Sequence, residues 1–342
     1  MSFPEPPFHL VPWMPVTADA TGECITGWHK HRVPYGVEST RLQTLDIWIP
    51  KSNEELSSPS DAVAFPPLRP GPWIVYIHGG AWRDPLVESS SFERTATGLL
   101  HRLLKGEGDD GFQLAGIASL NYRLSPHPKH PSDPAPSRHS DVPLDPARMA
   151  RHPDHIHDVL SALVYLQDLG VANDYILAGH SCGATLAFQV AMDPARWFMG
   201  KSITPKKPRT IVGLNGLYDL PAFLRQPPES HQSLAPLYNE FTRGAFGGDP
   251  ATWEAVCPTV VTDWEKEWPE AERVVLVQSR TDSLVPYSQL EILRRRLQHS
   301  GAKIALDELQ ASGHHNELWQ VGNQLLDILT QVCREWKPIS RA

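Results

Sequence analysis

Residues 175–188, YILAGHSCGATLAF, join an apolar run to an apolar helical pattern through the turn Gly-His-Ser-Cys-Gly. The two flanking glycines, Gly179 and Gly183, allow a turn sharp enough to raise the hydroxyl group of Ser181 clear of a sheet. The next backbone N–H, that of Cys182, then faces the same point. In this strand–turn–helix setting the pattern predicts a nucleophile elbow with Ser181 as the nucleophile, in preference to a plain glycine turn.

Short β-branched runs alternate with helical patterns along the rest of the chain. Predicted strands cover 73–77, 115–119, 175–178, 210–214 and 273–277, with a further run at 303–309, and predicted helices cover 154–169, 182–192 and 317–335. This alternation predicts an α/β fold with a doubly wound, mostly parallel sheet. In such a sheet the functional groups collect beyond the carboxyl ends of the strands, which is where the chemistry is expected.

The length of 342 residues and the apolar fraction of 41% suit one catalytic domain, residues 1–342. Within it, residues 1–40 are predicted as an N-terminal cap segment and residues 220–268 as a cap region. Two Pro/Ser-rich stretches, 50–72 and a loop insertion at 125–150, are predicted surface loops. The cap region is rich in Pro, Glu and Asp and lacks an apolar helical face, so a lipase-like membrane lid is not expected.

Composition and charge exclude several classes of partner. The net charge is −8 with Lys and Arg dispersed, which argues against nucleic-acid binding. No charged leader precedes an apolar stretch, and no window offers about 18 uninterrupted apolar residues, so we expect a cytoplasmic protein without a membrane partner.

The chemistry-bearing residues also suggest a protein that works without a cofactor. The four cysteines form no CxxC pair, which favours reduced thiols over a zinc ribbon or a disulfide framework. No phosphate-binding glycine pattern occurs, so we do not expect a nucleotide cofactor. No metal is expected either. The expected partner is a small-molecule substrate, and a homodimer is left open.

A second glycine motif, HGGAW at 78–82, follows another predicted strand. Successive glycines allow close backbone approach, so the N–H groups of Gly79 and Gly80, together with that of Cys182, are the predicted oxyanion hole. Trp82 follows this loop directly and is predicted to form a wall for an aromatic substrate.

A carboxylate and a histidine follow Ser181 in the chain order that a triad on this fold requires. Asp282 follows a predicted strand where a histidine-orienting acid is expected, the alternative being a turn aspartate. The base lies in Gly-His-His-Asn-Glu, 313–317. The residues alone leave both His314 and His315 open, because the two share one loop before the last helix.

Two other interpretations compete with this arrangement. Cys182 adjoins the nucleophile and would suit a cysteine hydrolase, but the residue after an elbow serine turns its side chain away from the substrate. Residues 151–158, RHPDHIHD, hold three histidines and two aspartates and resemble a metal site. Pro153 and Asp154 instead favour the start of a helix there.

Taken together, the motifs resemble a known family. HGGAW, NYRLSP (121–126), GHSCG, GLNGLYDL (213–220), the Asp282 loop and GHHNE occur in this order, as in the esterase branch related to hormone-sensitive lipase and, more narrowly, in the fungal kynurenine formamidases. The resemblance spans about residues 35–335 apart from the Pro-rich insertion. HGGAW, and a histidine followed by Asn and an acidic residue, point to the formamidases. Cys182 and the doubled histidine depart from the family pattern.

The resemblance implies an α/β-hydrolase fold and a triad of Ser181, Asp282 and His315, and so selects His315 over His314. It implies hydrolysis of N-formyl-L-kynurenine to L-kynurenine and formate through a formyl-enzyme, in tryptophan catabolism toward NAD biosynthesis. The nearest alternative is a carboxylesterase of broad specificity with the same triad. A non-catalytic small-ligand-binding protein on this fold is another, although it would usually have lost a triad residue.

Overall fold

The computed structural model describes residues 10–18, 24–36, 39–51, 65, 68–106, 111–135, 143–198, 204–225 and 227–338. Within these residues, nine strands form one sheet. They are β1 (Met14–Thr17), β2 (Ile25–Pro34), β3 (Thr44–Pro50), β4 (Trp73–Ile77), β5 (Gly116–Leu120), β6 (Tyr175–His180), β7 (Thr210–Leu214), β8 (Arg273–Ser279) and β9 (Ala305–Ala311). The spatial order is β1-β2-β3-β5-β4-β6-β7-β8-β9, antiparallel from β1 to β5 and parallel from β5 to β9.

Strand β4 shows how the apolar sequence produces a two-sided core. Trp73, Val75 and Ile77 pack into one core cluster, whereas Ile74 and Tyr76 pack into another. All five side chains are buried, since successive residues of a strand point to opposite faces and helices cover both. A parallel strand in this position therefore has no polar residue, which is why its sequence is a continuous apolar run.

Helices lie on both faces of the sheet. They are α1 (Glu93–Leu104), α2 (Asp154–Asp168), α3 (Cys182–Ala191), α4 (Leu220–Arg225), α5 (Ala235–Phe246), α6 (Pro250–Ala255), α7 (Trp264–Glu267), α8 (Ser288–His299), α9 (Glu317–Gln320) and α10 (Asn323–Arg334). Helix α1 packs against β2 and β3, and α3 packs against β6 and β7. The described part of the chain contains no helix that is both long and apolar enough to cross a membrane.

The predicted doubly wound sheet is confirmed, and each predicted strand agrees with an observed one to within two residues at either end. The helices predicted at 154–169 and 182–192 are confirmed as α2 and α3. The prediction of a single helix over 317–335 was wrong in one respect. The segment is divided into α9 and α10 at Gly322, whose left-handed backbone (φ 79°) ends one helix before the next begins.

The antiparallel half of the sheet differs from the prediction. Strands β1 and β2 lie within residues 1–40 and extend the sheet, where a cap segment was predicted. Strand β2 contains two histidines, a lysine and an arginine at positions 29–32 and mixes buried with accessible positions, so it gives no continuous apolar signal. Most of the predicted loop at 50–72, and residues 136–142 of the insertion at 125–150, lie outside the described residues.

Four helices, α4 to α7, occupy much of the 220–268 stretch. This stretch is tied to the loop after β8 at two points. The hydroxyl group of Tyr238 donates to the carbonyl oxygen of Leu284 at 2.8 Å, and Nε2 of His231 lies 3.0 Å from the carbonyl oxygen of Asp282. Helix α5 is therefore fixed beside the carboxyl ends of the parallel strands, where the predicted site residues lie.

Candidate active site

Ser181 lies at the turn between β6 and α3. Its backbone adopts φ 55° and ψ −122°, and its N–H donates to the carbonyl oxygen of Leu214 in β7 at 2.9 Å. A residue with a side chain is strained in this conformation, and a strained strand-to-helix turn is what presents the nucleophile of an α/β hydrolase. The residue is 5% exposed and lines a pocket.

The turn is packed too closely for a side chain at Gly183. A Cβ atom at that position would overlap the carbonyl oxygens of Ile77 and His78 at the end of β4. We expect Gly183→Ala to destabilise the protein by about 1 to 3 kcal/mol, measured as a lower Tm by calorimetry. Gly244→Ala is the matched control, because a Cβ in that position of α5 meets open space and alanine favours a helix by about 1 kcal/mol. An unchanged Tm for Gly183→Ala would contradict the close approach.

His315 and Asp282 form a buried pair beside this turn. Nδ1 of His315 lies 2.8 Å from Oδ2 of Asp282, and the other carboxylate oxygen accepts the N–H groups of Leu284 and Val285, both at 2.8 Å. Burial raises the pKa of Asp282, but the hydrogen bonds from His315 and from these backbone groups outweigh it and hold the pKa below its ordinary value. An ionised Asp282 accepts the Nδ1 proton, which leaves Nε2 as the basic nitrogen of the ring.

Groups at the ends of three strands hold the loop that carries His315. Nε2 of His180 and Nδ2 of Asn215 lie 3.0 and 3.2 Å from the carbonyl oxygen of His315. Asn215 also accepts the backbone N–H of Ser279 at 3.0 Å, and the Ser279 hydroxyl donates to the carbonyl oxygen of Gly313 at 2.6 Å. The position of the imidazole is therefore set by β6, β7 and β8 together.

The two histidines that the residues left open differ clearly in environment. His315 is 4% exposed and contacts Asp282, whereas the side chain of His314 is exposed to solvent. The structure thus brings together Ser181, Asp282 and His315 and leaves His314 outside.

The glycines of HGGAW form a tight loop opposite the serine. Gly80 has φ +92°, and a Cβ at Gly79 would lie 2.8 Å from Nδ1 of His180. The hydroxyl group of Tyr122 donates to the carbonyl oxygen of Gly79 at 3.1 Å and braces the loop from behind. Within the described residues, no backbone carbonyl accepts a hydrogen bond from the N–H groups of Gly79, Gly80 and Cys182, as the predicted oxyanion hole requires.

The prediction for Trp82 was wrong. The side chain is fully buried, and its ring packs against Phe246 at 4.8 Å in the core instead of forming a wall of the pocket. Ala81 and Trp82 both have left-handed backbones, with φ of 50° and 58°. Two such residues in succession turn the chain, which directs Trp82 inward and leaves Arg83 and Asp84 to line the pocket.

Ser181 and His315 share one pocket whose aromatic wall comes from elsewhere in the chain. Its rings belong to Phe223 in α4 and to Tyr238 and Phe241 in α5. Sequence reasoning missed these residues, since nothing in the 220–268 stretch marks which ring faces the sheet. The aromatic and aliphatic walls suit an apolar ring in the substrate.

Cys182 lies behind the loop and away from the pocket. Its Sγ accepts the backbone N–H of Trp82 at 3.3 Å, and burial raises the pKa of the thiol to about 11. We therefore expect iodoacetamide at pH 8 to leave activity intact, because alkylation needs an accessible thiolate. Mass spectrometry should find the label on Cys24, which is exposed and serves as the internal control. Loss of activity with label on Cys182 would contradict this assignment.

The histidine-rich stretch 151–158 forms a helix start. Helix α2 begins at Asp154, Nε2 of His155 lies 3.0 Å from Oγ of Ser125, and Asp158 is paired with Arg123 at 2.8 Å. Among the described residues, a different group has ligand atoms close enough together to hold a metal. It consists of His29, His31 and Asp46, which lie on β2 and β3 and do not line the pocket. The Asp46 carboxylate there already accepts hydrogen bonds from the N–H of Arg32 and the hydroxyl of Ser89.

Comparison with curated proteins finds close relatives. The kynurenine formamidase-like hydrolase fscH of Fusarium equiseti is 38% identical over 302 residues, which are 87% of this chain and 92% of that protein. The kynurenine formamidase avaC of Aspergillus versicolor is 33% identical over 84% of this chain and 94% of its own length. This chain belongs to the kynurenine formamidase family. The family extends to a kynurenine formamidase of Saccharomyces cerevisiae, 26% identical over 76% of this chain and 88% of that protein. No protein-family model matches the chain.

Solved structures share the fold of this family member. Esterase B from Lactobacillus rhamnosis superposes with a TM-score of 0.59 at 15% identity, covering 89% of this chain and 87% of that one. Carboxyl esterase 2 from Tuber melanosporum gives a TM-score of 0.55 at 15% identity, covering 85% and 80%. At this identity the likeness concerns the fold alone. Family and fold together confirm the predicted α/β-hydrolase fold and the predicted hydrolase.

Proposed function

We propose that this protein is an arylformamidase that hydrolyses N-formyl-L-kynurenine to L-kynurenine and formate. The observation that carries the proposal is the juxtaposition, in one aromatic-lined pocket, of Ser181 on a strained turn and His315 paired with Asp282. Membership of the kynurenine formamidase family supports the substrate. With it we propose a place in tryptophan catabolism toward NAD biosynthesis, and a cytoplasmic location.

In the proposed mechanism Ser181 attacks the formyl carbon while Nε2 of His315 takes the hydroxyl proton. The ionised Asp282 holds the imidazole tautomer and stabilises the imidazolium. The N–H groups of Gly79, Gly80 and Cys182 are the proposed donors to the oxyanion, each worth about 3 kcal/mol in the transition state. As the C–N bond breaks, His315 returns the proton to the aryl amine, leaving a formyl ester on Ser181.

Water completes the reaction by the same route. His315 removes a proton from a water molecule, which attacks the formyl ester, and then protonates Ser181 as formate leaves. The formyl group needs little space beside the nucleophile, and an aryl amine leaves more readily than an alkyl amine, so one imidazole acid is sufficient. The rings of Phe223, Tyr238 and Phe241 suit the aryl group of this substrate, and we retain residues 220–268 as the proposed cap over it.

The decisive measurement is kcat/KM of the purified protein for N-formyl-L-kynurenine beside p-nitrophenyl acetate, following the release of kynurenine and of nitrophenol. We expect a strong preference for the formyl substrate. Activity on the acetate alone would retire the formamidase and leave a carboxylesterase, which shares the same proposed triad and differs in the shape of its pocket.

A further inference from the structure

Two charged side chains lie in the pocket wall one turn beyond the oxyanion loop. Arg83 and Asp84 both line the pocket, and their backbone N–H groups donate to the carbonyl oxygen of Gly80 at 2.9 and 2.8 Å. Of the described residues that line this pocket, these two are the ones of the Arg, Lys, Asp and Glu types, one basic and one acidic. The two hydrogen bonds to Gly80 fix the backbone of Arg83 and Asp84 relative to the glycine whose N–H is a proposed donor to the oxyanion.

Arg83 presents an unused edge of its guanidinium group. Its side chain is 5% exposed, and its Nη1 donates to Oε1 of Glu240 in α5 at 2.9 Å. Among the described residues, no acceptor forms a hydrogen bond with its Nε or Nη2 group. That edge of an arginine binds a carboxylate through two parallel hydrogen bonds.

Asp84 offers a complementary acceptor. Its Oδ1 accepts the N–H of Leu86 at 3.0 Å and lies 3.5 Å from Nε2 of His130, which fixes the side chain, while Oδ2 accepts no hydrogen bond from the part of the chain that the structure describes. A carboxylate oxygen in this state suits an ammonium group. The neighbouring His127 adds no second cation, because burial and the charge of Arg83 lower its pKa to about 4.

We infer that Arg83 and Asp84 form a subsite for the α-carboxylate and α-ammonium groups of a zwitterionic amino acid whose aryl formamide reaches Ser181. This inference rests on the proposed function and deepens it, since it assigns the residues that distinguish an amino-acid substrate from a simple aryl formamide or ester. The aromatic wall takes the ring, the glycine loop takes the formyl oxygen, and the adjacent charge pair takes the amino-acid end.

Three probe substrates separate these contributions. N-formyl-L-kynurenine carries both charges, N-formylkynuramine carries the ammonium without the carboxylate, and formanilide carries neither. We expect Arg83→Gln to lower kcat/KM for N-formyl-L-kynurenine relative to N-formylkynuramine by about 10- to 100-fold, the usual worth of hydrogen bonds to a charged group. Asp84→Asn retains the bond to Leu86 and should lower kcat/KM for both amines relative to formanilide by a similar factor.

Glu240→Gln is the matched control for Arg83. It breaks the same ion pair but leaves the guanidinium in place, so the substrate ratios should stay at the wild-type value. If Glu240→Gln lowers the ratio of kcat/KM for N-formyl-L-kynurenine to that for N-formylkynuramine as much as Arg83→Gln does, then Arg83 only holds α5. That result would overturn the inference. If Arg83→Gln misfolds, Arg83→Lys keeps the charge without the paired donors, and an unchanged ratio in that variant contradicts bidentate binding.

The result also separates this inference from the proposed function. A wild-type protein that cleaves formanilide and p-nitrophenyl acetate but not N-formyl-L-kynurenine overturns both. A wild-type preference for N-formyl-L-kynurenine that persists unchanged in Arg83→Gln and Asp84→Asn overturns the subsite and leaves the formamidase standing.

Discussion

Replacing Ser181 with alanine is expected to lower kcat for N-formyl-L-kynurenine by about a million-fold while the protein stays folded. The formyl carbon then has no nucleophile, although the proposed oxyanion donors and the aromatic wall remain. Alanine accepts the backbone strain as serine does, and the Ser181 hydroxyl does not cap α3, so its removal costs little stability. Kynurenine release is followed by absorbance, with stopped assays long enough to detect the residual rate.

The matched readout for this variant is its thermal unfolding. A Tm close to that of the wild type, together with the lost activity, assigns the effect to chemistry. Activity within about tenfold of the wild type would show that another group attacks the substrate, and the serine mechanism would then fall.

Replacing His315 with alanine is expected to cost nearly as much as loss of the serine, because nucleophile and base act as one unit. The adjacent His314→Ala is the control that the chain itself supplies. Its side chain is exposed, whereas His315 lies 2.8 Å from Asp282. We expect the His314 variant to retain near wild-type kcat/KM with the same substrate.

An inverted result would be equally informative. Full activity in His315→Ala with loss in His314→Ala would mean that the loop rearranges in solution to bring the other imidazole to Ser181. If His315 alone is the base, the double variant His314→Ala/His315→Ala should lose no more activity than His315→Ala. The effects of independent sites add, and the effect expected for His314→Ala is close to zero.

The parallel half of the fold and the order of the predicted triad could be derived from the sequence. Strands buried on both faces are continuous apolar runs, which a sequence shows directly. The turns that follow two of them, at Gly79 and Ser181, require glycines, and these can be recognised from the residue types alone. Strands β1 and β2 could not be found in this way, because an antiparallel edge mixes accessible and buried positions. Their pairing depends on long-range contacts that no local pattern records.

The walls of the pocket were harder to predict than the positions of the proposed catalytic groups. Trp82 was expected to face the substrate because it follows the glycine loop, but two left-handed residues in succession rotate the chain and present Arg83 instead. Backbone angles of that kind are rare outside glycine and carry no signal in the residue types Ala and Trp. The choice between His314 and His315 rested on family resemblance, because burial inside a loop has no periodicity.

The carbonyl oxygen of His315 is held by His180 and Asn215, which stand at the ends of β6 and β7. The imidazole is thus anchored to two interior strands of the sheet, each of which has a neighbouring strand on both sides. Local opening elsewhere, at the sheet edge or in α10, leaves it aligned. Heating should therefore cause no loss of turnover per folded molecule below the main transition, and inactivation and unfolding should proceed together.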